Sequence, residues 1–123
     1  MRLLLVAAAF ALGLAGAQAQ TYPNRPITVV VPFPAGGPTD AIIRNLGERM
    51  RVSLGQPLVV EYVTGAGGTV GTGRVQRAAP DGYTLILGHF GTHATNGAVY
   101  PLQYDLVKDF TPDRKSTRLN SSH

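Results

Sequence analysis

The chain has 123 residues, a formal net charge of +4 and no cysteine. The missing thiol excludes disulfides, cysteine nucleophiles, cysteine-based zinc sites and a lipid-modified N-terminal cysteine. The positive excess is no sign of a nucleic-acid-binding face: residues 20–113 hold seven basic and seven acidic groups, and the surplus lies in Arg2, Arg114, Lys115 and Arg118.

Residues 1–19 read as a secretory leader. Arg2 gives a minimal positive start, and Leu3 to Leu14 form an apolar run too short for a comfortable membrane span. Ala17-Gln18-Ala19 fits the small-x-small cleavage pattern, so the mature chain is expected to begin near Gln20. The competing reading is an uncleaved membrane anchor.

Tyr22 to Pro26 is a proline-punctuated lead-in, and Ile27 to Phe33 is the first predicted strand. Its run Val29-Val30-Val31 is β-branched and uninterrupted, as in a strand covered on both faces. Pro34-Ala35-Gly36-Gly37 turns the chain straight into a helix. The two glycines let a ligand approach the backbone, and Pro38 suits a first helical turn because its missing N–H is not needed there. Free N–H groups at such a start form a receptor for an anion. Asp40 reads either as a first-turn acid that stabilises its own helix or as a contact to a ligand ammonium or a bridging water.

The helix carries Ile42, Ile43, Leu46, Met50 and Leu54 at helical spacing, with Arg44, Glu48, Arg49 and Arg51 on a solvated face. Gly55 stops it, and Pro57 follows. Leu58 to Val63 is the second strand. Thr64-Gly65-Ala66-Gly67-Gly68-Thr69 is a second flexible turn, leading to a helix of mostly small residues. Pro80-Asp81-Gly82 turns into a third strand, Tyr83 to Gly88. His89 to Asn96 reads as a third polar loop that enters a short helix near Ala98. Strand–helix alternation predicts an α/β fold with a mostly parallel sheet, and all three polar loops then follow strand C-termini, the edge where such sheets bind ligands. Residues 114–123 break the pattern and read as an aberrant or disordered tail.

Three catalytic or cofactor readings fail on spacing. Gly65-x-Gly67 would need glycine or alanine at position 70, which is Val70, and the third strand ends in Gly88-His89 with no acid for a ribose. His89 and His93 are four apart, but position 90 is Phe rather than the Glu of a zinc-protease helix. No G-x-S-x-G elbow exists. His93, in the third loop, is the better ligand candidate of the two histidines.

Several segments resemble one family. Tyr22-Pro23-Asn24-Arg25-Pro26, Val31 to Asp40, Leu54-Gly55-Gln56-Pro57, Gly65-Ala66-Gly67-Gly68, Ala79 to Leu85 and Tyr104-Asp105 with Lys108 to Pro112 are similar, in order and spacing, to the N-terminal portion of Bug receptors, the substrate-binding proteins of tripartite tricarboxylate transporters. The resemblance implies a periplasmic-binding-protein-like (type II) lobe, truncated here, since such proteins are two to three times as long and close two lobes over a ligand. It implies a location in the periplasm, a small carboxylate ligand, a membrane permease as partner, a monomer at full length, no cofactor and no catalysis. It also places three ligand loops. The first is Phe33 to Asp40, with Phe33, Pro34, Ala35, Gly36, Gly37, Thr39 and Asp40. The second is Ala66, Gly67, Gly68 and Thr69, and the third runs from Thr92 and His93 to Asn96.

None of these stretches contains Lys or Arg. An anion there depends on main-chain N–H groups, hydroxyls and helix starts, each worth about 0.3–1 kcal/mol when exposed. A micromolar ligand needs about −8 kcal/mol, so one lobe alone is expected to bind poorly. The alternative reading is the N-terminal piece of a secreted α/β enzyme whose catalytic residues lie elsewhere.

Overall fold

The structure is a computed structural model that describes residues 21–112. The leader at 1–19 and the tail at 114–123 lie outside the described residues.

Three parallel strands form the sheet: β1 (Ile27–Val31), β2 (Leu58–Tyr62) and β3 (Thr84–Ile86), in the order β2-β1-β3. The β-branched run occupies the central strand, where both edges are paired; Val29 faces Val60 on one side and Leu85 on the other. Ile27, Val29, Val30 and Val31 are all buried there, as a strand covered on both faces requires.

Between β1 and β2 runs α1 (Pro38–Leu54), started by Pro38 and closed by Gly55 in the left-handed conformation at φ 68°, with the Gly55 N–H donating to the Arg51 carbonyl at 3.0 Å. Of its expected apolar stripe only Ile43 is buried, packed with Val29 and Val31 and flanked by Leu58, Val60 and Tyr62. Met50 and Leu54 are half-buried, whereas Ile42 and Leu46 are exposed. The stripe is wider than the face that a three-stranded sheet covers.

Between β2 and β3 lies α2 (Thr69–Gln76), preceded by a short turn of 3₁₀ helix at Ala66–Gly68. Its small residues do what small residues allow: Gly71, Thr72 and Gly73 are fully packed, and a Cβ on Gly71 would meet the Val63 carbonyl oxygen at 2.6 Å. The third strand is shorter than the sequence suggests, three residues against six, and the third loop is helical rather than irregular. Gly91–Thr95 forms one wide π-type turn that continues into α3 (Asn96–Val99).

Far from the strand C-termini, the lead-in is clamped to the turn before β3. The Tyr22 hydroxyl donates to the Gly82 carbonyl at 2.7 Å, the Tyr83 hydroxyl donates to Asn24 Oδ1 at 2.8 Å, and Arg25 pairs with Asp81 at 2.8 Å while lying over the Tyr83 ring.

Candidate functional site

All three connections that leave strand C-termini meet at one edge of the sheet. The first is Pro32 to Asp40. After the buried Pro32 the chain turns at Gly36 (φ +88°), a left-handed value that favours glycine, and Gly37 is the extended N-cap of α1. No side chain caps that helix. The first-turn N–H groups of Thr39 and Asp40 therefore lack both an intrahelical partner and a side-chain cap.

Asp40 is turned back into the fold. Its side chain is only 7% exposed and its oxygens are committed. Oδ2 accepts the Gly36 N–H at 2.8 Å, which bends the acid back over its own turn. Oδ1 accepts the Tyr62 hydroxyl in a short hydrogen bond, and Arg44 Nε at 2.9 Å. The Tyr62 hydroxyl, then the Gly36 N–H, hold the carboxyl below its usual range, against a smaller opposing effect of burial. In return, the bond to Asp40 pushes both the Tyr62 phenol and the Arg44 guanidinium up. The helix-stabilising reading of Asp40 is the nearer of the two, with one addition: the acid also ties the turn to β2 through Tyr62. Arg44, one turn further along α1, has its charge met by Asp40.

Beside this turn lies an open recess of about 490 Å³, lined by Phe33, Pro34, Ala35, Gly37, Pro38, Thr39 and His89. Gly36 is exposed at the turn's apex. The wall opposite the helix start is aromatic: the His89 ring stacks on Phe33 with centroids 4.4 Å apart and planes 15° apart.

The second turn meets the first through its glycines. Gly68 is buried; a Cβ there would lie 2.7 Å from Thr92 Cγ2 and 3.2 Å from the Pro32 Cβ. Its φ of +91° also favours glycine. Gly68 is thus a packing glycine at the junction of all three turns. Ala66 and Gly67 are exposed and Thr69 is half-buried.

The third turn is tied to the second. Asn96 is buried and its Nδ2 donates to the Gly67 carbonyl at 2.9 Å. Thr92 is fully buried: its Oγ1 accepts the His89 N–H at 2.9 Å and also contacts the His89 carbonyl and His93 Nδ1. Both side chains brace the loop from inside. His93 is half-buried, with its ring edge-on to Phe110. Burial, and then the neighbouring His89, push its pKa down. It faces a second, larger open space of about 890 Å³ between α2, β3 and residues 106–112, and does not line the recess beside Gly37.

The structure therefore brings Phe33, Pro34, Ala35, Gly37 and Thr39 into one recess, and sets Gly68, Thr92 and Asn96 into the packing that supports it. Sequence reasoning weighed His89 as half of a metal pair and as a structural or ligand-contacting histidine, ranked it below His93, and treated Tyr62 as an ordinary strand residue. His89 has a faint signal, a polar ring one residue past Gly88 at a strand end; Tyr62 has none. Among the described residues, no group of three or more His, Asp or Glu stands close enough to hold a metal ion.

A family model described as "Tripartite tricarboxylate transporter family receptor" matches residues 42–118. The protein BugT of Bordetella pertussis is 44% identical over 96 residues, which is 76% of this chain and 29% of BugT. Among solved structures, MatC of Rhodopseudomonas palustris with bound malate is 53% identical with a TM-score of 0.71, over 74% of this chain and 31% of MatC. An R. palustris protein with adipate superposes with the same TM-score at 41% identity, again over 74% of this chain and 31% of the other. The chain thus spans about a third of the length of the proteins it matches. Each of these likenesses is well above the identity at which only the fold is shared, and the neighbours are periplasmic solute-binding proteins.

Proposed function

The chain belongs to the tripartite tricarboxylate transporter receptor family, and on that premise we propose that it is the first-lobe segment of a periplasmic receptor that captures a small carboxylate. Receptors of this family are solute-binding proteins of the periplasm rather than enzymes. The observation that carries the reading is the uncapped start of α1. It opens on the recess of Phe33, Gly37 and Thr39, with its one nearby acid already consumed by Tyr62, Gly36 and Arg44. A helix start in this state is short of an anion. MatC, with malate, and the adipate-bound R. palustris protein support a small organic acid, a di- or tricarboxylate or a related acid, as the ligand.

The ligand is held by main-chain amides at Gly37, Thr39 and Asp40, with Phe33, Pro34 and Ala35 as the apolar wall. A second lobe closes over it, and the closed monomer docks on the membrane permease of the transporter. Residues 1–19 act as the cleaved leader, with cleavage near Ala19. No cofactor and no nucleic acid take part.

Thermal unfolding of the full-length receptor, with both lobes present, in the presence of a panel of acids tests this. Malate, adipate and citrate are compared with chloride at equal ionic strength. A true ligand at a hundredfold excess over its Kd stabilises by about 2.7 kcal/mol, a shift of a few degrees for a two-lobed protein. No shift with any carboxylate counts against the proposal.

A further inference from the structure

We infer that His89 is a ligand contact of this site, a neutral donor with a fixed tautomer that gives its Nε2–H to a carboxylate oxygen; the inference rests on the carboxylate reading above. The tautomer follows from the partner of the other ring nitrogen. Gly91 N–H donates to His89 Nδ1 at 2.8 Å. A backbone N–H cannot accept, so Nδ1 carries the lone pair and the ring proton sits on Nε2. Nε2 has no hydrogen-bond partner among the described residues.

Position and rigidity agree with a contact. β1 and β3 are neighbours in the sheet, and the chain that leaves β1 crosses to β2, on the side away from β3. Ligands of open α/β sheets bind outside the carboxyl ends of the strands. The stack of His89 on Phe33 bridges the C-terminal ends of these two strands and lines the recess beside Gly37 and Thr39. Three contacts fix the ring and its backbone: the Phe33 face, the Gly91 N–H on Nδ1, and the His89 N–H on Thr92 Oγ1. The free donor is therefore preorganised, which is what a binding group needs. A carboxylate fits better than a cation. An N–H donor and the helix-start amides both seek negative charge, and the one acid at the turn, Asp40, is occupied.

The test uses the 123-residue chain and ¹⁵N NMR of its imidazoles and amides, with malate, adipate and acetate titrated to high millimolar against a chloride control. His89 is expected to show the Nε2–H pattern, and its ring signals are expected to move together with the Gly37 and Thr39 amides. His89→Phe, which keeps the stack and removes the donor, is expected to weaken binding roughly ten- to a hundredfold. His89→Gln, which keeps a donor, is expected to stay within a few-fold of the native chain; the amide spectrum of each variant reports whether it is folded. An Nδ1–H tautomer overturns the inference. So does movement of the Gly37 and Thr39 amides with a silent His89, native-like binding by folded His89→Phe, or an equal loss in folded His89→Gln; these three leave the receptor reading standing. If no acid moves either turn, the carboxylate reading fails and takes this one with it.

Discussion

Asp40 has a structural role that its hydrogen bonds define. Its carboxylate spans three elements: its own helix through Arg44, the turn through Gly36 and β2 through Tyr62. Its pKa is lowered in the folded chain, so its stabilising effect is full above the unfolded carboxyl value of about 3.9 and is lost as pH falls through the lower folded value. The urea midpoint is accordingly expected to drop as pH falls below about 4. Asp40→Asn is expected to flatten that acid limb and lower the midpoint at pH 7; an unchanged limb contradicts the assignment. Tyr62 carries the opposite sign: its raised pKa gives stability that is complete below the unfolded phenol value of about 10 and lost as pH rises through the folded one.

Glycines divide in the same way. A Cβ at Gly36 meets nothing within 4 Å, so Gly36→Ala incurs only the strain of φ +88°, about 1–2 kcal/mol. At Gly71 the same atom lies 2.6 Å from a backbone carbonyl, so the helix must shift, and Gly71→Ala is expected to destabilise by about 1–3 kcal/mol. Gly71→Ala is therefore expected mainly to lower stability, reaching the first turn only through Pro32 at its root, and Gly36→Ala to disturb the carboxylate contacts directly. Urea titrations paired with amide shifts separate the two.

At the scale of elements, the strands and helix ends were legible because local chemistry decides them. Val29 to Val31 can hardly be anything but a buried strand, and Gly55 closes α1 in the left-handed cap expected of it. The exposed Ile42 and Leu46 were not legible, because period alone does not say how wide a face the sheet covers. The third connection was misread as irregular: His93, Thr95 and Asn96 are poor helix formers, yet the turn is held by Thr92 and Asn96 from within. Of the candidate site, the first turn could be read from Gly36-Gly37-Pro38. The bracing roles of Gly68, Thr92 and Asn96 could not, since their partners lie up to 36 residues away, as Gly68 does from Pro32. His89 was hidden for the same reason, its stacking partner being Phe33.

The Asn96 tether makes a prediction at this scale. Asn96→Ala removes the hydrogen bond to the exposed Gly67 carbonyl, which water then takes up, and unlinks the third turn from the second. Loss of about 0.5–1.5 kcal/mol is expected. Amide hydrogen exchange is expected to rise over residues 88–99 and 65–69 while β1 and β2 stay protected. Uniform exchange over the whole chain contradicts a local tether.

Over the whole molecule, the buried apolar core is small: Ile27, Val29, Val30, Val31 and Ile43. Against it stand large exposed apolar residues, among them Ile42, Val59, Leu85, Phe90 and Val107, the last 82% exposed. The space of about 890 Å³ beside β3 is lined by Leu85, Ile86, Leu106 and Phe110. A sheet whose β2 and β3 edges are unpaired among the described residues, with apolar surface beside one of them, tends to self-associate. Sedimentation of the 123-residue chain is therefore expected to show concentration-dependent association, with a broad thermal transition. A sharp, monomeric, cooperative melt contradicts this.

The claim on which the functional account turns is that main-chain amides beside Gly37, rather than a charged side chain, grip the acid. A crystal structure of this chain grown with malate tests it most directly. The account predicts a carboxylate oxygen within about 3.1 Å of the Gly37, Thr39 or Asp40 amide. Malate seated away from Gly36, Gly37 and Gly67 contradicts it.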